Sequence, residues 1–80
     1  MDWKPEIPRW RQVYDVMEER IANGTYPPGS RLPGMLDIAS EWGIGAVTAR
    51  RVLQELRAAD LAVMHPGLGT FVSELPKPDA

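Results

Sequence analysis

The side chains best suited to chemistry with a partner lie in one short stretch that contains Thr48, Arg50 and Arg51. A threonine hydroxyl can donate to a phosphate or a base edge, and an arginine can pair with phosphate or bridge two acceptors of guanine. On a helix over 46–59, Val47 and Arg51 would point away from the core, with Thr48 and Arg50 on the flanks. These side chains predict contact with duplex nucleic acid, although adjacent arginines on a helix also occur simply to keep a surface soluble.

The sequence offers little for catalysis or metal binding. It contains no cysteine and one histidine, so neither a thiolate zinc site nor a histidine cluster can form. Glu18 and Glu19 are adjacent carboxylates, but neighbours on a helix project about 100° apart and cannot converge on one bond. We therefore expect no enzyme activity, no catalytic or metal-binding residue and no cofactor.

Length and composition describe one small globular domain. The chain has 80 residues, of which 44% are hydrophobic and 25% charged, with a net charge of -2. Only residues 29–57 carry a net positive charge, with four basic against three acidic side chains. The sequence has neither an apolar run long enough to span a membrane nor the layout of a signal peptide. We expect a cytoplasmic protein without a membrane partner.

Apolar periodicity predicts three helices. The first begins at Pro8 and ends before Asn23-Gly24, with an apolar stripe at Trp10, Val13, Met17 and Ile21. Extended backbone is expected around residues 30–32, before a second helix over 34–42 that ends at Gly43. The third helix, 46–59, has its core face at Ala49, Val52, Leu53 and Leu56.

The remaining pattern predicts a β-hairpin. Strands over 61–65 and 69–73 flank a turn at Pro66-Gly67-Leu68. Helix, helix, tight turn, helix and hairpin together describe a winged helix-turn-helix, a mainly α fold with three helices and a small β wing. We place a lead-in at 1–7, the domain at 8–73 and a flexible tail or linker at 74–80. Trp3 in the lead-in either folds back on the domain or contacts a partner.

Three blocks of the sequence carry a family resemblance. They are Tyr26-Pro27-Pro28-Gly29-Ser30-Arg31-Leu32-Pro33, then Gly43-Ile44 with Thr48-Ala49-Arg50-Arg51-Val52-Leu53, and finally Gly67-Leu68-Gly69-Thr70-Phe71-Val72. Together they resemble the N-terminal DNA-binding domain of GntR-type bacterial transcription regulators. The resemblance implies operator binding, commonly as a dimer, with helix 3 in the major groove and the wing tip at the minor groove. It also implies that Thr48 and Arg50 contact DNA and that Gly67 is the wing-tip glycine.

The sequence departs from the family pattern at three places. Gly34-Met35-Leu36 replaces a Ser-Glu-Arg segment, Gly45-Ala46 replaces Ser-Arg, and Leu68 replaces a basic residue of the wing. Arginines usual in the family are therefore missing at positions 36 and 46. These losses imply a different operator, weak binding that needs a second copy, or a surface used for protein contacts.

We expect a sequence-specific DNA-binding transcription regulator, or the DNA-binding domain of one, that binds operator DNA as a homodimer. A small-molecule effector is expected only if a further C-terminal domain exists. The alternative is a winged helix that mainly binds proteins, with weak or no DNA binding, which the acidic balance and the apolar residues Met35, Leu36, Val47 and Leu68 would favour. The candidate DNA-binding residues are Val47, Thr48, Arg50, Arg51, His65, Gly67, Leu68 and Thr70; a solvated strand-end role is the alternative for His65.

Overall fold

Three helices and a hairpin follow one another in the predicted order. The structure, a computed structural model, describes residues 2–74. Its elements are α1 Arg9–Ala22, α2 Met35–Trp42, α3 Ala46–Ala58, β1 Ala62–His65 and β2 Gly69–Val72. The winged helix-turn-helix fold class is confirmed. Of the predicted tail at 74–80, only Glu74 lies within the described residues.

The inner face of α3 forms the centre of the core. Its four predicted core residues are all buried, which confirms the assignment of this face. From α1, Val13 and Met17 are fully buried, whereas Trp10 and Ile21 of the predicted stripe pack at the edge. The other elements close the core with Leu32, Ile38, Ala62 and Val72. No helix within residues 2–74 is both long and apolar enough to cross a membrane.

A left-handed glycine makes the turn between α2 and α3. Gly43 has φ 65°, and its N–H donates to the carbonyl of Ala39. The next N–H, of Ile44, donates to the same carbonyl at 3.1 Å. This conformation costs a residue with a Cβ atom about 1–2 kcal/mol, so glycine suits the position. The turn redirects the chain sharply and lets α2 pack against α3.

The hairpin is tied to the connector between α1 and α2. The N–H of Leu32 donates to the carbonyl of Thr70, and the N–H of Val72 donates to the carbonyl of Ser30, both at 2.8 Å. Arg31 thereby lies opposite Phe71 in an antiparallel bridge. The extended segment predicted at 30–32 thus acts as a short third strand that holds the base of the hairpin.

One arginine joins α1, the connector and α2. Arg20 Nη1 donates to the Tyr26 hydroxyl at 2.8 Å and to a carboxylate oxygen of Glu41 at 3.0 Å. Its guanidinium also lies 5.2 Å from the ring centroid of Trp42. The hydrogen bond to Tyr26 raises the pKa of Arg20 above its ordinary value. Arg20 is therefore a structural cation that links three elements of the domain.

The lead-in packs against α1 through a buried glutamine. Gln12 is 8% exposed, and its side-chain oxygen accepts the N–H of Lys4 at 3.0 Å. Its amide nitrogen donates to the carbonyls of Lys4 and Ile7 at 3.0 and 2.8 Å. Trp3 packs against the core beneath the guanidinium of Arg9. Of the two alternatives for Trp3, the structure shows the one that folds back.

We predict that Leu56→Ala lowers the free energy of unfolding by about 2–5 kcal/mol, because it removes a fully buried side chain and leaves a cavity. Val47→Ala on the same helix is the matched control, since Val47 is 83% exposed and should change stability by less than about 0.5 kcal/mol. Urea denaturation of both variants measures the difference. Equal stability of the two variants would show that the faces of α3 are wrongly assigned.

Candidate nucleic-acid interface

The outer face of α3 presents a mixed apolar and polar surface. Val47, Arg50, Arg51 and Gln54 are all exposed, because the core residues occupy the opposite side of the helix. Thr48 is partly exposed on the flank, as expected. A helix of this kind can offer base-edge and phosphate contacts to a groove about 12 Å wide.

The N-terminus of α3 lacks features that would repel an anion. Gly45 makes no side-chain capping hydrogen bond, and the first turn contains no acidic residue. The first backbone N–H groups of a helix have no acceptor within the helix and carry the positive end of its dipole. Val47 and Thr48 therefore project from a turn that is electrostatically suited to a phosphate oxygen.

Arg51 lies on the side of the outer face that borders α1. Its guanidinium is 4.4 Å from the ring centroid of Trp10, and its Nε donates to a carboxylate oxygen of Glu55 at 3.1 Å. The sequence predicts only that Arg51 points away from the core, free to contact a partner. The structure instead gives Arg51 two contacts within the domain, which would compete with contacts to a partner.

The two faces of the hairpin have different neighbours. Ala62 pairs with Val72 and both are buried, so Met64 and its partner Thr70 share the face toward α3. His65 lies on the other face, with its ring 5.2 Å from that of Phe71. Two of the predicted site residues therefore lie on opposite faces of the hairpin, because Thr70 faces α3 and His65 faces away from it.

The tip of the hairpin is a tight turn that exposes an apolar side chain. The N–H of Leu68 donates to the carbonyl of His65 at 2.9 Å, and Gly67 has φ 78°. Proline followed by a glycine of positive φ is typical of a type II turn. Leu68 is 64% exposed, so the tip carries an apolar group that projects toward solvent.

A shallow cleft separates α3 from the hairpin. We call it the α3–hairpin cleft; it is lined by Met35, Arg50, Leu53, Arg57, Met64 and Thr70. Two of the predicted contact residues, Arg50 and Thr70, meet there. Arg51, His65 and Leu68 do not line it.

Ion pairing leaves part of this surface with free positive charge. The pairs formed within residues 2–74 are Arg11–Asp15, Arg20–Glu41 and Arg51–Glu55. Arg31, Arg50 and Arg57 form no ion pair with any acidic residue in that range. These cations on α3 and beside the hairpin, which have no acidic partner within residues 2–74, give an acidic chain a locally positive surface.

Sequence reasoning omitted two of these arginines from the candidate site. Arg57 follows Arg50 by seven residues, a spacing that returns to the same side of a helix and signals a shared surface. Arg31 lies across Gly69, where a Cβ atom would come within 2.8 Å of its Nε. Its placement follows from the pairing of residues 30–32 with β2, which the sequence pattern does not specify.

Comparison with known proteins gives consistent matches. The family model described as "Bacterial regulatory proteins, gntR family" matches residues 10–72. The chain is 37% identical over 67 residues to the histidine utilization repressor of Pseudomonas putida, covering 84% of the chain and 27% of that protein. It is 32% identical over 80 residues to the HTH-type transcriptional regulator Rv1152 of Mycobacterium tuberculosis, covering 100% of the chain and 66% of that protein.

A solved structure has the same fold. The crystal structure of AraR(DBD) in complex with operator ORR3 superposes with a TM-score of 0.81 at 23% identity. The match covers 91% of the present chain and 88% of that chain. At this identity the likeness shows a common fold.

We predict that Arg51→Glu destabilises the domain by about 1–2 kcal/mol, since it removes the contact with Trp10 and places two carboxylates four residues apart. Arg50→Glu is the matched control, because Arg50 forms no ion pair within residues 2–74, and it should change stability by less than about 0.5 kcal/mol. Thermal and urea denaturation test this difference. An Arg51→Glu variant as stable as the parent would show that its intramolecular contacts contribute nothing.

Proposed function

Because the chain belongs to the gntR family of bacterial regulatory proteins, we propose that it is a sequence-specific DNA-binding transcription regulator or the DNA-binding domain of one. In this proposal α3 enters the major groove and the hairpin contacts the backbone or the minor groove. The observation that carries it is the outer face of α3, which is exposed, has no acidic residue in its first turn and includes Arg50, an arginine without an ion pair within residues 2–74.

Each residue near the start of α3 has a distinct role in the proposal. Val47 offers an apolar contact of the kind that thymine methyl groups accept. Thr48 donates to a phosphate or a base edge, and Arg50 bonds to phosphate or bridges guanine. Arg51 contributes to phosphate binding only if it breaks its hydrogen bond with Glu55 or reaches DNA while its guanidinium remains stacked on Trp10.

The hairpin contributes backbone or minor-groove contacts at its tip. Gly67 allows close approach because it has no side chain, and Leu68 offers an apolar contact instead of a charge. Thr70 lines the α3–hairpin cleft and offers its hydroxyl group as a hydrogen-bond donor there. His65 would contact DNA only along the outer face of the hairpin, since it lies on the side away from α3.

Relatives support a role in transcription without fixing its details. The Pseudomonas putida relative is named a repressor, and the structure of AraR(DBD) was solved with an operator. Family and relatives are regulators rather than enzymes.

We propose a cytoplasmic protein that acts as a homodimer on repeated half-sites, because one copy offers few cations to DNA. A small-molecule effector enters the proposal only with a further C-terminal domain.

Protein association is the second candidate function. Large apolar side chains are exposed at the hairpin tip, where Leu68 is 64% exposed, and on α2, where Leu36 is 70% exposed. Exposed apolar groups of this size often mark a protein contact. Gel-shift assays with genomic DNA fragments, together with sedimentation of the protein alone, separate the two functions.

We predict that Arg50→Ala weakens binding to a selected operator by about 1–3 kcal/mol, roughly 5- to 150-fold, because it removes a charge-assisted contact from the outer face of α3. Fluorescence anisotropy with a labelled duplex measures this change, and thermal denaturation checks that the variant is folded. If a folded Arg50→Ala variant gave the same titration curve as the parent, Arg50 would not be part of the interface.

We also predict that Leu36→Arg combined with Ala46→Arg tightens non-specific binding, because both positions are exposed and each takes the place of an arginine that the family resemblance implies. Each new phosphate contact should steepen the slope of log affinity against log salt by about 0.9. Titrations with a random-sequence duplex at salt concentrations from about 50 to about 200 mM measure the slope. Unchanged binding at low salt would favour the protein-association function.

A further inference from the structure

The residues described along the α3–hairpin cleft include two positive charges and no negative one. Arg50 and Arg57 line it from positions two turns apart on α3, and the other four lining residues described are uncharged. Neither arginine forms an ion pair with an acidic residue in 2–74. Like charges on one wall of a cleft repel each other. An anion between the two arginines would attract both, and this attraction would offset their repulsion.

Arg57 is held in this cleft by a weak partner. Its Nη1 donates to the thioether sulfur of Met64 at 3.2 Å, and its buried Nε has no hydrogen-bond partner among the described residues. A thioether is a poor acceptor, and a buried donor without a partner is unfavourable. The guanidinium therefore loses little by leaving Met64 and gains a charge-assisted hydrogen bond when a stronger acceptor arrives.

Resting on the proposed function, we infer that the α3–hairpin cleft binds a phosphodiester group of the DNA backbone and that Arg57 is a phosphate-binding residue. Arg50 supplies a second cation at the same cleft, and Thr70 supplies a hydroxyl donor from β2. The cleft lies between the two elements proposed to occupy neighbouring grooves. The backbone strand that separates those grooves is the anion that must pass between them.

A phosphate contact makes a specific prediction about salt. Arg57→Met removes the charge and keeps an unbranched side chain that can pack beside Met64 and Leu53. The slope of log affinity against log salt should become shallower by about 0.9, the value for one phosphate neutralised. The loss of affinity should be equal for a duplex selected from a random-sequence library and for an unselected duplex, because a phosphate carries no sequence information.

The controls distinguish the loss of a positive charge at the cleft from the loss of a positive charge elsewhere on the domain. Arg11→Met removes the same charge from α1, where Arg11 pairs with Asp15, and should leave the slope unchanged. Arg57→Lys keeps a cation in the cleft and should retain the parent slope. Thermal denaturation establishes that each variant is folded, and Arg57→Gln provides a second neutral variant if Arg57→Met fails to fold.

The outcomes distinguish this inference from the function on which it rests. If the parent binds duplex DNA and a folded neutral variant keeps its slope, the phosphate site is refuted while DNA binding stands. A loss confined to the selected duplex would indicate a base contact and also refute the phosphate site. If the parent binds no duplex at low salt, the proposed function and this inference both fail.

Discussion

Burial of one face of α3 is the constraint on which the rest of the structure depends. Four side chains of this helix lie at the centre of the core, and the other elements pack around them. A helix fixed along one side has no freedom to rotate, so its opposite side is displayed in a single orientation. Val47 and Arg50 are exposed for the same reason that Val52 and Leu56 are buried. Stability and the proposed recognition therefore have a common origin in one amphipathic helix.

Short-range rules predict the elements because those rules operate within a few residues. The apolar spacing of α3 determines its inner face, and a glycine after Trp42 supplies the left-handed turn before it. Two short runs rich in apolar residues on either side of a Pro-Gly pair likewise predict the hairpin. Placement of long side chains is harder to predict, because it depends on neighbours distant in sequence. The stacking of Arg51 on Trp10 and the burial of Gln12 beneath the lead-in are both of this kind.

Charge distribution connects the fold to its proposed partner. The chain as a whole is acidic, yet its ion pairs occupy Arg11, Arg20 and Arg51 and leave Arg50 and Arg57 without one in the described residues. Local potential, rather than net charge, governs approach to a polyanion. The small number of available cations also accounts for a proposal in which two copies act together. Apolar groups beside those cations could then add sequence preference without adding charge.

The most direct test of this account is an amide chemical-shift map recorded by NMR as the protein is titrated with a selected operator duplex. If the outer face of α3 reads DNA, shifts will be concentrated in the first two turns of α3, around Val47 and Arg50, and at the hairpin tip around Leu68. Amides of Glu18 and Glu19, on the exposed side of α1, should remain unchanged. Shifts concentrated on α1, with α3 unaffected, would contradict the claim that the outer face of α3 is the DNA-reading surface.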